Sequence, residues 1–216
     1  MIKMNKILGG HKYVANFLDA PIRIGMVFRM DEEQFIPAMH FNDAFPGIDL
    51  AKWIEAGTKG MLKFAEAKDV TISFGASAAS GIGKSEVKFK FQRSKSVAGA
   101  IRDAAVENLR YGNVVKQLQQ MWNDQGYVKF LKQYIFVYEV VTAASGSLIY
   151  SEDSKNEVVL KHTLDEKVTK LADLGSGNFE YVSNTKRTLE IIRPVVHKPL
   201  FKAFAFKKDW EPDILG

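Results

Sequence analysis

The chain has 216 residues, 46% hydrophobic and 25% charged, with no cysteine and a formal net charge of +5; that length suits one domain, or one domain with a short appendage, and buries enough apolar surface to fold without covalent staples. The missing cysteines exclude disulfides, thiolate metal sites, cysteine nucleophiles and S-palmitoylation. The basic excess suits anionic partners such as lipid headgroups or nucleic acid, and is as common in proteins that touch neither.

The opening MIKMNKILGGHKYV carries an apolar run too short and too interrupted for a signal peptide. No window approaches the ~18 apolar residues of a membrane helix, so a bilayer could be crossed only by strands. In IRIGMVFRM, Ile22, Ile24, Met26 and Phe28 alternate with Arg23, Gly25, Val27 and Arg29, as in a strand. Residues 31–47, with Pro37, Pro46 and Gly47, read as largely loop. Asp49 can cap a helix through about Ala67, since Leu50, Trp53, Ile54, Met61, Phe64 and Ala65 fall at helical spacing. Gly57 and Gly60 weaken that helix without having to break it.

The next stretch, VTISFGASAASGIGKSEVKFKF, has period two on both sides of a small-residue loop, the signature of a hairpin. Val97, Ile101, Ala104, Ala105 and Leu109 then suit a helix, and Val114, Val115, Leu118, Met121 and Trp122 a second. QYIFVYEVVTA is strongly β-prone and apolar on both faces apart from Glu139, as a central strand would be. Turns follow at Ser145-Gly146 and at residues 154–156, and a short helix is expected over residues 166–173. KRTLEIIRPVV and LFKAFAFKK are late strands. Helices and strands that do not alternate regularly predict an α+β fold, without a doubly wound sheet.

GIGKS tests a phosphate loop first. The first glycine of G-x-x-x-x-G-K-[ST] would fall on Ala78, and EVKFKFQ alternates like a strand where a helix is required. His11, His40, His162 and His197 are scattered, without metal-ligand spacing. No G-x-S-x-G elbow is present, the acidic pairs sit in polar segments, and His40 near Asp43 is a pairing expected by chance. These residues make no case for an enzyme and imply no cofactor or metal.

Two binding chemistries fit the hairpin. Lys84, Lys88, Lys90, Arg93 and Lys95 interleave with Phe89 and Phe91, which could stack single-stranded bases, although strict alternation puts lysines and phenylalanines on opposite faces. Membrane insertion fits that alternation better: spanning strands need about 9–11 residues with one apolar face. Val70, Ile72, Phe74, Val87, Phe89 and Phe91 would then face lipid, while Lys88 and Lys90 face water. A lone hairpin leaves backbone groups unpaired in hydrocarbon, so such hairpins must close into a barrel across subunits. An ordinary amphipathic hairpin on a soluble core fits the same pattern.

The order of these segments resembles that of a small gasdermin of the short bacterial or fungal type. FIPAMHFNDAFPGIDLAKWIEAGTKGMLKFAE resembles the family's proline-containing segment and following helix. SEVKFKFQRSKSVAGAIRDAA resembles its amphipathic strand leading into helices, and YIFVYEVVTAASGSLIYSEDS and HKPLFKAFAFKKDW resemble its central strand and its terminal strand. The resemblance implies a pore-forming cell-death protein of immune defence, with a twisted, mainly antiparallel sheet and surrounding helices in its soluble form. It implies cytoplasmic storage, binding to anionic lipids of the cell membrane, homo-oligomerisation, and refolding of about residues 68–95 and 134–163 into barrel hairpins. Residues 1–207 would form the pore-forming domain. Lys84, Lys88, Lys90, Arg93 and Lys95 would be headgroup ligands, each worth about 1 kcal/mol near a charged surface. The chain lacks the lipidated N-terminal cysteine common in bacterial members. Residues 208–216 could dock as a short restraint through Trp210, Ile214 and Leu215, or fray as a tail around Pro212, and the trigger would be an activating protease or a protein partner. The alternative reading is a soluble binding module for single-stranded nucleic acid or another anionic ligand.

Overall fold

The computed structural model describes residues 2–3, 13–16, 21–31, 34–44, 46–65, 69–76, 85–110, 112–117, 134–164, 167–206 and 212–214. The strands, in chain order, are β1 (Ile2–Lys3), β2 (Val14–Ala15), β3 (Met26–Asp31), β4 (Gln34–His40), β5 (Ile54–Ala65), β6 (Val70–Ala76), β7 (Ser85–Phe91) and β8 (Ser96–Leu109). They continue with β9 (Tyr134–Ala143), β10 (Ser145–Ser151), β11 (Asn156–His162), β12 (Phe179–Asn184), β13 (Thr188–Arg193), β14 (His197–Phe206) and β15 (Pro212–Ile214). The described helical pieces are short: α1 (Phe41–Ala44), residues 112–117, and 3-10 turns at Leu50–Trp53 and Leu171–Ser176. Among the described residues the fold is therefore sheet-rich and mainly antiparallel, with less helix than expected.

The helix expected from Asp49 to about Ala67 is a single 3-10 turn. Asp49 does cap it, accepting the Ala51 N–H at 3.2 Å. At Ile54 the backbone turns extended (φ −83°, ψ 125°) and β5 begins. Residues 54–61 are exposed, so no apolar face holds a helix there. Pairing with β8 satisfies the backbone instead, beginning where the Arg110 N–H donates to the Trp53 carbonyl at 2.9 Å.

The helix expected over residues 97–109 is strand β8. Alternation is present in its second half, where Ala104 and Val106 are buried while Ala105 and Glu107 are exposed. Its first half pairs with β10 from Ser96↔Ser151 to Arg102↔Ser145. Gly99 makes that approach possible: at φ 147° a side-chain carbon there would lie 2.0 Å from the Ser147 carbonyl oxygen. Residues 31–47, expected as loop, contain β4. Pro37 is accommodated opposite Phe28, beside the register shift between Val27 and Phe28, where the ladder is already interrupted.

The chain divides into two compact units, residues 1–57, 105–141 and 198–216, and residues 58–104 and 142–197. In the first, β3 pairs with β4 and β9, and β14 pairs with β2 and β15. Its core gathers Phe28, Phe41, Phe136, Tyr138, Phe201 and Phe204. Residues 135–141 of β9 are all buried, as its two-sided apolar sequence predicts. Glu139 is buried there with every need met: Tyr13 Oη donates to it at 2.7 Å, Asn108 Nδ2 at 2.5 Å, and Lys202 Nζ lies at 3.1 Å. Burial, then the hydrogen bond to Glu139 and its charge, push the Tyr13 hydroxyl well above the usual tyrosine range.

In the second unit β10 lies between β8 and β13, and a separate sheet runs in the order β12-β11-β7-β6. The apolar side of that sheet packs into a core with Ala98, Ala100, Ile149, Val168 and Leu174.

Candidate membrane-inserting hairpin

Strands β6 and β7 form the expected pair, with register from Val70↔Phe91 to Ala76↔Ser85. The GIGKS motif ends in strand β7 rather than in a helix, so the structural context of a phosphate loop is missing. Strand β11 pairs on the other side of β7, from Asn156↔Phe91 to Lys161↔Glu86. Period-two geometry then sorts the side chains into cross-strand rows. On one face these are Ile72-Phe89-Val158 and Phe74-Val87-Leu160. On the other are Thr71-Lys90-Glu157, Ser73-Lys88-Val159 and Gly75-Glu86-Lys161.

The apolar rows point into the core. Val87 and Phe89 are 0% exposed, Phe91 1% and Val70 4%, while Ile72 and Phe74 are partly buried against the same cluster. Phe89 and Phe91 stack with ring centroids 6.3 Å apart. The six lipid-facing candidates thus share one continuous face, and in this fold the core covers it.

The described basic candidates lie outside that core, and three have acidic partners. Lys88 and Lys90 both reach Glu157, Lys90 at 4.0 Å, and Arg93 Nε lies 3.3 Å from Asp69. Lys95 is exposed, with φ 60°. Lys84 lies outside the described residues. Glu157 was not singled out from the sequence; the alternation of NEVVLKH marks it as outward-facing, but only the β7–β11 register sets it between two lysines.

The second expected hairpin region, residues 134–163, comprises β9, β10 and β11. Alternating burial is confined to β11, since β10 is buried throughout and β9 nearly so. Of the tail candidates, Ile214 lies in β15, where it pairs with Phe204 of β14; Trp210 and Leu215 lie outside the described residues. His40 serves a turn: its ring Nε2 donates to the Ile24 carbonyl at 3.0 Å, and its backbone N–H donates to Asp43 at 3.2 Å. Among the described residues no three metal-ligating side chains cluster, and no helix is long and apolar enough to cross a membrane, which says nothing of strands. No protein-family profile matches the chain, and no curated protein does.

Proposed function

We propose that this chain is a pore-forming protein of the gasdermin kind, which binds anionic membranes, oligomerises, and inserts β-hairpins to permeabilise the bilayer and kill the cell. The observation that supports this reading is the two-faced β6–β7–β11 ribbon, with the wholly apolar rows Ile72-Phe89-Val158 and Phe74-Val87-Leu160 on one side and a charged residue in each row on the other. A strand pair built this way serves a soluble core and a lipid-facing barrel with the same sequence. In the stored form it would reside in the cytoplasm, with surrounding helices around a twisted sheet; in the active form it would line a closed barrel at the cell membrane.

Burial holds the hairpin in place. Val87, Phe89 and Phe91 each gain about 1.5–3 kcal/mol from leaving water, about 5–9 kcal/mol together. That approaches the whole stability of a domain, about 5–15 kcal/mol, so the face opens only where lipid replaces the core. Docking of β15 on β14 supports a restraining role for the tail. The alternative, base stacking on Phe89 and Phe91, loses support because both rings are inside.

Dye release from anionic vesicles tests the reading, using the full chain, a form ending at Lys208, and the double variant Lys161→Cys/Glu180→Cys. Lys161 of β11 faces Glu180 of β12 across an antiparallel pair, within disulfide reach, and the chain has no other cysteine. The disulfide ties β11 to a strand outside both inserting regions. Leakage that begins only on reduction supports the proposal. Leakage with the disulfide closed refutes release of β11, and vesicles left intact by every form refute the pore.

A further inference from the structure

A second feature of the second unit lies at the end of β11, where His162 meets polar residues that come from outside both expected hairpin regions. A polar recess of about 220 Å³ is lined by Arg102, His162, Lys167, Asp173, Ser176 and Asn178, together with two apolar side chains. Drug-sized ligands occupy pockets of about 300–1,000 Å³, so this one suits a single small group. Its walls are well fixed. Ser145 Oγ donates to the Gly175 carbonyl at 2.7 Å, and a methyl on Gly175 would sit 3.5 Å from the Arg102 Cβ. The Thr163 N–H donates to the Asn178 carbonyl at 3.0 Å. Gly177 closes the 3-10 turn at φ 67°, so near Arg193 that no side chain would fit.

Among the described residues neither Arg102 nor Lys167 has a carboxylate partner, whereas Asp173 is engaged, accepting the N–H groups of Thr169 and Lys170 at 2.8 and 3.0 Å. The balance is one net positive charge before His162 is counted. Arg102 precedes Asp103, whose φ of 51° is unusual for a non-glycine residue in a strand; such backbone costs about 1–3 kcal/mol and clusters at functional sites.

His162 is 2% exposed and packs edge-on against Phe179 with centroids 4.8 Å apart. Its Nδ1 lies 2.9 Å from the Leu164 carbonyl, which can only accept, so Nδ1 carries a proton. Nε2 is then an acceptor in the neutral ring, and has no partner among the described residues. A phosphate group meets these demands together. Its oxygens accept from the planar guanidinium of Arg102, from Lys167, and from the Ser176 hydroxyl and Asn178 amide, while a P–OH, carried by inorganic phosphate and by the monoanion of a phosphomonoester, donates to Nε2.

We propose that the recess formed by Arg102, His162, Lys167, Ser176 and Asn178 is a binding site for a phosphate group, either free phosphate or a phosphomonoester headgroup. This proposal stands apart from the pore reading, because it concerns binding to the folded unit and not release of the hairpin.

Calorimetric titration of the full chain with inorganic phosphate, against sulfate at equal ionic strength, tests it. Arg102→Gln and Lys167→Gln remove charge from exposed side chains that have no carboxylate partner among the described residues, so circular dichroism should be unchanged. Each should weaken phosphate binding about ten- to hundredfold, as loss of a charge-assisted hydrogen bond does. Sulfate, with no proton to donate at neutral pH, should bind more weakly than phosphate; equal binding would overturn the role given to His162. Binding to vesicles of phosphatidylcholine with and without phosphatidic acid separates the sources. A phosphatidic-acid preference lost in the combined Arg102→Gln/Lys167→Gln variant identifies a headgroup, and saturable inorganic phosphate binding without that preference identifies free phosphate. Phosphate and vesicle binding both insensitive to the two substitutions would overturn the proposal.

Discussion

Phe89 and Lys88 are chain neighbours on opposite faces of β7, and truncating each in turn measures which face the core holds. Phe89 is 0% exposed, stacked on Phe91, and flanked in register by Ile72 and Val158. Phe89→Ala removes a whole buried ring and leaves a cavity that a three-strand row cannot collapse around, at a cost of about 3–5 kcal/mol. Lys88→Ala removes an exposed ion pair with Glu157, whose side chains are 41% and 33% accessible. Pairs of that kind contribute about 0–1 kcal/mol. For a urea slope of about 2 kcal/mol/M, the unfolding midpoint should fall by about 1.5–2.5 M in Phe89→Ala and by less than about 0.5 M in Lys88→Ala. Urea unfolding followed by tryptophan fluorescence reads both. Similar shifts in the two variants, or a Phe89→Ala loss below about 1 kcal/mol, would refute the face assignment, and with it the stored apolar face on which the pore reading rests. The same burial means that a carboxylate at position 89 would disrupt the soluble fold itself, so it cannot isolate the insertion step.

Gly99→Ala should destabilise by about 2 kcal/mol or more, because it adds backbone strain and forces β10 away from the Ser147 contact; a stability within 0.5 kcal/mol of the parent, by the same urea assay, would contradict the close β8–β10 approach. Tyr13 offers a test against pH. Its folded pKa is raised above the ordinary value of 10.0, so its contribution to stability is complete below about pH 10 and is lost as pH rises toward the folded value. Tyr13→Phe should cost about 1–3 kcal/mol at neutral pH, by stranding part of the Glu139 network. Above pH 10 the parent should lose stability more steeply than Tyr13→Phe, by up to about 1.4 kcal/mol per pH unit. Parallel pH profiles would mean that Tyr13 ionises as freely folded as unfolded.

The two faces of β6 and β7 were legible in the sequence because a strand's side chains alternate with period two, so VTISF and SEVKFKF state their own geometry. The two-sided apolar run from Ile135 to Val141 likewise announced a central strand. Residues 54–65 and 97–109 read as helices for a definite reason. Alanine, glycine and glutamate there satisfy helical spacing as well as strand alternation, and what decides between them is the pairing of β5 and β8 with partners distant in the chain. The same non-local logic governs the charges. A sequence displays Lys88 and Lys90 as a basic run, but the β7–β11 register alone puts Glu157 between them. The phosphate recess was illegible for that reason too, since Arg102, His162 and Lys167 come from separate segments that only tertiary packing brings to one cavity. Local pattern thus determines which side of each strand is apolar. What covers that side, and which charges meet across it, depends on contacts between residues far apart in the chain, and these were settled only by the tertiary structure.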